Sequence, residues 1–383
     1  MTPYRFNTVA SLRVGPGTAR EIGAACAELG VRRPMIVTDA GLVSAGLVDP
    51  LRQCAAAVCE SVSVFSAVTA DPSESVVMAA FDQLKADETD GVIGLGGGSS
   101  MDVAKAIAVL ANGDQPLSAL YGVDQVAGGR LPLVLIPTTA GTGSEVTPVA
   151  VITTGETTKA GISSATLLPD IAILDAELTI GLPPHVTAMT GIDAMVHAIE
   201  AYTSKIKKNP VSDMLARRAL ELLAANQRRV LSHPEDLAAR EAMLLGATFA
   251  GQAFANAPVA AVHALAYPLG GHYHMPHGLS NALMLPAVLR FNASAAEAQY
   301  LELAPLLPEG AGPSLDGFVG WFEQLISDAA LPHSLASAGV PESDLPMLAA
   351  DAMLQQRLLI NNPVEVDEVA ALNLYRAAWQ GAA

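Results

Sequence analysis

The sequence predicts two regions of different class: an α/β domain over residues 1–180, followed by an all-helical domain over residues 181–383. Three observations predict it. Short β-rich runs alternate with helical patterns in the first half, the signature of a mostly parallel sheet covered by helices. Strand-like runs then almost disappear from about Gly181 onward. A chain of 383 residues also exceeds what one hydrophobic core usually organises.

The first half starts irregularly, and residues 18–29 then read as a helix ended by Gly30. Residues 34–38 read as a strand, with Asp39 at its carboxyl end. A helix over about 47–60 precedes a strand over 62–66, and Ser73 can cap a helix running to about Lys85. Residues 91–95 read as a buried strand that runs into glycines, 101–110 as a helix and 131–136 as a further strand. The second half shows helical periodicity over 186–203, 212–225, 236–256, 279–289, 315–328 and 367–379. The boundary falls near 178–184, and no internal repeat or long low-complexity linker is present.

Hydrophobic residues make up 51% of the chain and charged residues 15%, which excludes a disordered or highly charged binding segment. Aromatics are only 4%, so alanine, leucine and valine must fill the cores. A net charge of −17 repels nucleic acid and anionic membranes, and no basic stripe offsets it. The short cationic run from Lys205 to Lys208 reads as a solvated helix end. Cys26, Cys54 and Cys59 sit in or beside alanine-rich apolar segments, so they read as buried thiols in a reducing compartment. No basic stretch followed by an apolar core opens the chain, and no apolar run is long enough to span a bilayer. The expectation is a cytoplasmic protein that engages neither membrane nor nucleic acid.

Two loops carry phosphate-binding chemistry. The run from Gly94 to Asp102 follows a strand, opens a helix and contains Gly96, Gly97, Gly98 and Ser99. Glycines let backbone amides approach a phosphate closely, and a helix N-terminus adds a favourable field. The dinucleotide fingerprint is not met in full, because a third glycine follows directly, and a glycine turn without ligand has the same composition. The run from Ile136 to Glu145 also follows a strand and is rich in glycine and small hydroxyls. Two such loops at the ends of parallel strands would line the usual ligand crevice of an open α/β sheet. Asp39 ends a strand where a carboxylate can accept from an adenosine ribose and repel a 2′-phosphate, which favours NAD(H) over NADP(H). The same position also suits a helix or turn cap.

Asp193 and His197 stand four apart, which places them on one helix face. His263, His272, His274 and His277 follow in a second window, so five of the eight histidines fall in two short segments. One carboxylate and three imidazoles form a chemically reasonable set for Fe(II) or Zn(II). Spacing of four alone is equally that of an exposed helix pair or a partnered core histidine.

These segments resemble one family. Gly-Gly-Gly-Ser-x-x-Asp-x-Ala-Lys over 96–105 and Pro-Thr-Thr-Ala-Gly-Thr-Gly-Ser-Glu over 137–145 are similar to the iron-containing (group III) alcohol dehydrogenases. So are Gly-Ile-Asp-Ala-x-x-His-Ala-Ile-Glu over 191–200 and Pro-His-Gly-Leu-Ser-Asn-Ala over 276–282, in the family's order and spacing. The resemblance covers about residues 35–290. It implies a Rossmann-like α/β nucleotide-binding domain followed by a helical metal-binding domain, a dehydroquinate synthase-like architecture. It implies Asp193, His197, His263 and His277 as ligands of one divalent metal, Fe(II) foremost and Zn(II) as the alternative. Gly96, Gly97, Gly98 and Ser99 would form the pyrophosphate loop with Asp102 beside it. Thr138, Thr139 and Thr142 would line the nicotinamide side, and Lys159 would approach the cofactor ribose. His272 and His274 are not ligands in that pattern.

One position departs from it. Many members carry a histidine four residues after the third ligand, where this chain has Tyr267, so Tyr267 is expected to shape the substrate pocket or to be a structural aromatic. The implied reaction is reversible hydride transfer between a small alcohol and NAD(H), giving an aldehyde or ketone, in a homodimer or larger homo-oligomer. Maleylacetate reductase-like, glycerol dehydrogenase-like and transhydrogenase activities on the same fold are the alternatives, and a non-catalytic nucleotide-binding protein is a further one.

Overall fold

The structure, a computed structural model, describes residues 3–155, 158–308 and 311–381. By its internal contacts the chain divides into two compact units, Asn7–Gly181 and the residues from Leu182 onward, the latter with residues 3–6.

The first unit holds strands β1 (Ser11–Val14), β2 (Pro34–Asp39), β3 (Ser63–Val68), β4 (Gly91–Gly96), β5 (Gly122–Val123), β6 (Leu133–Pro137), β7 (Val149–Thr154), β8 (Thr158–Ser163) and β9 (Ile171–Leu174). Its helices are α1 (Ile22–Glu28), α2 (Ala40–Ser44), α3 (Val48–Ala56), α4 (Glu74–Ala86) and α5 (Gly98–Leu110). Six strands form one parallel sheet in the order β1-β9-β6-β4-β2-β3, and β5-β8-β7 form a small second sheet.

Side-chain alternation explains the layers. Met35 and Val37 of β2, Val92 of β4, and Leu133 and Leu135 of β6 join the apolar layer that contains α4 and α5. Ile36, Ile93, Leu95, Val134 and Ile136 point the other way, into the layer built with α1 and α3. Strands buried on both faces read as continuous apolar runs, which is why β2, β4 and β6 are legible in the sequence. β1 is not, because it is a four-residue edge strand with half-buried and exposed positions, and it lies in the stretch that reads as irregular. Thr18–Glu21 form a 3-10 turn before α1, where one continuous helix is expected. β7, β8 and β9 lie in a stretch that carries no strand expectation.

The second unit is helical: α6 (Pro184–Thr203), α7 (Pro210–Ser232), α8 (Leu237–Asn256), α9 (Ala261–Tyr273), α10 (His277–Leu303), α11 (Leu315–Asp328), α12 (Leu345–Ala352), α13 (Gln356–Leu359) and α14 (Glu368–Gln380). Asn209, Asp236, Ser314 and Asp367 cap α7, α8, α11 and α14 by accepting from backbone N–H groups of the first turn. α6 is buried on nearly every side from Gly191 to Thr203 and packs against α7, α8 and α10, so it is the central helix. α9 has no counterpart in the sequence reading, since Pro268, Gly270 and Gly271 argue against a helix. Burial of Ala261 to Ala266 holds it nonetheless. α10 likewise continues through Pro286, well beyond the expected 279–289.

Candidate metal centre and nucleotide loops

Three helices bring four side chains together in the second unit. Asp193 and His197 lie one turn apart on α6, His263 lies in the first turn of α9, and His277 begins α10. One ligand atom from each lies within 4.8 Å of the other three. Asp193 Oδ1 is 3.9 Å from His197 Nε2 and 3.7 Å from Nε2 of both His263 and His277. Donors about 2.1 Å from a shared tetrahedral ion stand about 3.4 Å apart, and the three Asp193–histidine separations lie within about half an ångström of that spacing, so the donor set suits a divalent metal. The His197 ring is stacked between Phe254 and His263, at centroid distances of 4.4 and 4.7 Å, which locks its orientation. Gly278 lets α10 begin here, because a Cβ there would stand 2.4 Å from the backbone oxygen of Met189 on α6.

Two partners of this cage were not among the sequence candidates. Glu200, buried one turn after His197, accepts N–H bonds from Ala260 (3.0 Å) and Val262 (2.7 Å), and its Oε2 lies 2.7 Å from His263 Nδ1. An ionised Glu200 therefore fixes the hydrogen on Nδ1 and turns the Nε2 lone pair toward the centre. Its place seven residues after Asp193, on the same helix face, was the available signal. Asn281 Nδ2 donates to Asp193 Oδ1 at 2.6 Å and lies 3.2 Å from Nε2 of His263 and of His277. Its Oδ1 is buried without a hydrogen-bond partner. Acceptors thus converge on one amide nitrogen, the arrangement a cation requires.

The electrostatics agree. Burial and the neighbouring His197 and His277 hold the His263 imidazole well below its ordinary range, so the ring is neutral with a free lone pair. Burial works to raise Asp193, but the three imidazoles and the Asn281 amide outweigh it and leave the carboxyl lowered. Burial pushes Glu200 up to about 7, against the two backbone N–H donors that favour its charged form.

In the first unit, Asp39, the glycine loop and the threonine loop follow the carboxyl ends of β2, β4 and β6, three neighbouring strands. The strand order reverses there, where open α/β sheets bind ligands. Gly96 has φ +151°, and a Cβ on it would meet Ser100 Oγ at 2.7 Å, so only glycine serves. Thr138 N–H donates to Gly96 C=O at 3.0 Å, which joins the two loops. Gly97 and Ser99 lie at the start of α5, and a Cβ on Gly97 would face Thr139 at 3.6 Å. A Cβ on Gly98 would stand 3.0 Å from Thr142 Cγ2. Thr139 Oγ1 is buried without a partner.

Other sequence candidates have defined partners. Asp39 caps α2, its Oδ1 accepting from Leu42 N–H at 3.0 Å, which leaves Oδ2 for a ligand. Asp102 is held on both oxygens, by Ser144 Oγ (2.8 Å) and Val151 N–H (3.0 Å). Lys159 Nζ donates to Asp71 Oδ1 at 2.6 Å. Tyr267 is half-buried, with its ring centroid 5.9 Å from that of His277. His272 pairs with Asp351 at 3.0 Å and His274 caps α9 in the left-handed region, so neither joins the cage. Among the described residues no helix is long and apolar enough to cross a membrane.

A parallel sheet with polar loops at its strand ends, joined in one chain to a helical unit with an Asp-His-His-His cage, defines a metal-binding α/β protein class. Comparison with known proteins makes this specific. Residues 10–176 match the family "Iron-containing alcohol dehydrogenase", and residues 187–379 match "Fe-containing alcohol dehydrogenase family, C-terminal". The chain is 39% identical over 380 residues to long-chain-alcohol dehydrogenase 1 of Geobacillus thermodenitrificans (strain NG80-2), covering 96% of this chain and 95% of that one. It matches the crystal structure of a 1,3-propanediol oxidoreductase with a TM-score of 0.95 at 34% identity, over 99% of this chain and 100% of that one. It matches sulfoacetaldehyde reductase from Bifidobacterium kashiwanohense, solved in complex with NAD+, with a TM-score of 0.89 at 29% identity over 98% of each. The chain belongs to the iron-containing alcohol dehydrogenase family and is an oxidoreductase acting on alcohols.

Proposed function

We propose that this protein interconverts a small alcohol and its aldehyde or ketone with NAD(H), using one divalent metal, Fe(II) foremost and Zn(II) as the alternative. The observation that carries the reading is the convergence of Asp193, His197, His263 and His277 within 4.8 Å, in a chain of this family. When bound, the metal supplies Lewis-acid polarisation of the substrate oxygen, and the nicotinamide supplies the hydride acceptor or donor.

The chain's own residues do the rest. His197, His263 and His277 would present ring nitrogens to the metal, and Asp193 would add a carboxylate oxygen. Glu200 fixes the His263 tautomer by holding Nδ1. Backbone amides from Gly96 to Ser99, at the N-terminus of α5, receive the pyrophosphate. Thr138, Thr139 and Thr142 offer hydroxyls on the nicotinamide side, and the unpaired Thr139 Oγ1 has a hydrogen bond to give. Asp39 accepts from the adenosine ribose through Oδ2 and repels a 2′-phosphate, which selects NAD(H). Lys159, steadied by Asp71, is assigned to the cofactor ribose, and Tyr267 to the wall of the substrate pocket. The working form is a cytoplasmic homodimer or larger homo-oligomer.

The test is cofactor oxidation by protein reconstituted anaerobically with Fe(II), using NADH or NADPH and a panel of small aldehydes and ketones. NADH-dependent turnover that vanishes in metal-stripped protein supports the reading. Equal turnover without metal sinks the metal assignment, and a preference for NADPH sinks the Asp39 assignment alone.

A further inference from the structure

We propose that Lys105 is a positioning residue for the dinucleotide, fixing the threonine loop against the glycine loop and so setting cofactor affinity without touching the cofactor. The inference rests on the NAD(H) reading above. Lys105 lies on α5, seven residues beyond Gly98, and its side chain is wholly buried. Its ammonium donates to Ser144 Oγ at 2.8 Å, Thr147 Oγ1 at 3.3 Å and Val149 C=O at 2.8 Å. Three donors meet three acceptors, all from the segment that leaves the threonine loop. One turn earlier Asp102 accepts from Ser144 Oγ and from Val151 N–H, at 2.8 and 3.0 Å. Ser144 therefore receives a hydrogen from Lys105 and gives one to Asp102, and is held from both sides.

The consequence for the loops is geometric. The stretch carrying Thr138, Thr139 and Thr142 is held at one end by β6 in the sheet and at the other by this buried anchor. Between those ends, Thr142 Cγ2 sits only 3.0 Å from where a Cβ on Gly98 would stand. Two loops that abut this closely lose their spacing if Ser144 moves by a few tenths of an ångström. Stability alone does not call for an ammonium here, since an apolar side chain of the same length avoids its desolvation. What the ammonium adds is direction: three bonds at fixed angles to one segment of chain.

The experiment compares intact wild-type protein with Lys105→Met and Ser144→Ala. NADH affinity is read from the fluorescence of bound NADH, and KM for aldehyde, metal content and melting temperature are measured on the same samples. The expected result is NADH affinity weakened about tenfold in Lys105→Met. Ser144→Ala moves the same way, and the double variant is no weaker than Lys105→Met alone, because both break one network. Aldehyde KM and metal content stay within about twofold of wild type. NADH affinity unchanged in folded variants overturns the proposal. Loss of NADH affinity, aldehyde KM and metal content together also overturns it, by showing general loosening. If Lys105→Met does not fold, Ser144→Ala, which removes one hydroxyl, decides by the same criteria. A wild-type protein that binds no NADH removes the cofactor reading and this inference with it, whereas wild-type binding with unchanged variants removes this inference alone.

Discussion

The cage around Asp193 and the anchor around Lys105 use the same kind of acceptors, but they differ in who brings the positive charge. At the anchor the chain supplies its own cation, and every hydrogen of the ammonium has an acceptor. At the cage, four acceptor atoms converge and the nearest donor from the chain is a neutral amide, Asn281. Buried acceptors without a cation are costly, and at the cage no side chain of the described residues brings one. The difference separates a site closed for structure from one open for chemistry.

The largest effect expected is at the open site. His263→Ala should remove retained metal, read by elemental analysis, and lower turnover by about a thousandfold or more, while NADH affinity stays near wild type. Metal retained in full by that variant would break the comparison. Glu200→Gln keeps the shape but weakens the hold on His263 Nδ1, so metal affinity in a chelator competition should fall about 10- to 100-fold. Gly278→Ala pushes a Cβ into the backbone of α6, and overpacking of this kind costs about 1–3 kcal/mol. A lower melting temperature together with lower metal content would tie helix packing to the cage, whereas lower stability with full metal content would separate them.

The closed site has a pH signature. Burial holds the Lys105 ammonium down to about 8 from an ordinary 10.5, against Asp102 and Glu145, which pull it up. Between those values the unfolded chain binds more protons than the folded one, so this group makes stability rise with pH across that window. The melting temperature of wild type should therefore gain on that of Lys105→Met between pH 8 and 10, and a gap that shrinks instead would reverse the assignment. The smallest effect is at the surface. Asp236 is lowered by the Ala239 N–H it caps and by Arg229, so its contribution is present above its ordinary 3.8 and lost as pH falls through its folded value. Asp236→Asn keeps the cap and loses the charge. Its deficit of about 1–2 °C near neutrality should close in acid.

Legibility in the sequence follows burial and periodicity. The α6 pair, Asp193 and His197, could be read from spacing, and His263 and His277 only from their resemblance to a family pattern. Four histidines stand in that window, and only the path of the chain shows which two turn inward. His274 adopts a left-handed conformation and ends α9, while His272 goes to Asp351. Glu200 has the right period, but its hold on His263 depends on where α9 begins, and α9 was hidden by its proline and glycines. The pair Asp102 and Lys105, three apart, looks on paper like any exposed helix pair. Their partners come from residues 144–151, the turn before β7 and β7 itself, which periodicity did not reveal.

A side chain at position 98 would press on the Thr142 methyl, which would have to give way by a few tenths of an ångström. A larger residue at 98 would need a smaller one at 142, although the two are far apart in the chain and belong to different loops. Natural variants should therefore exchange these positions as a pair. Efforts to redirect cofactor preference through the glycine loop alone should fail unless the threonine side is redesigned in the same step.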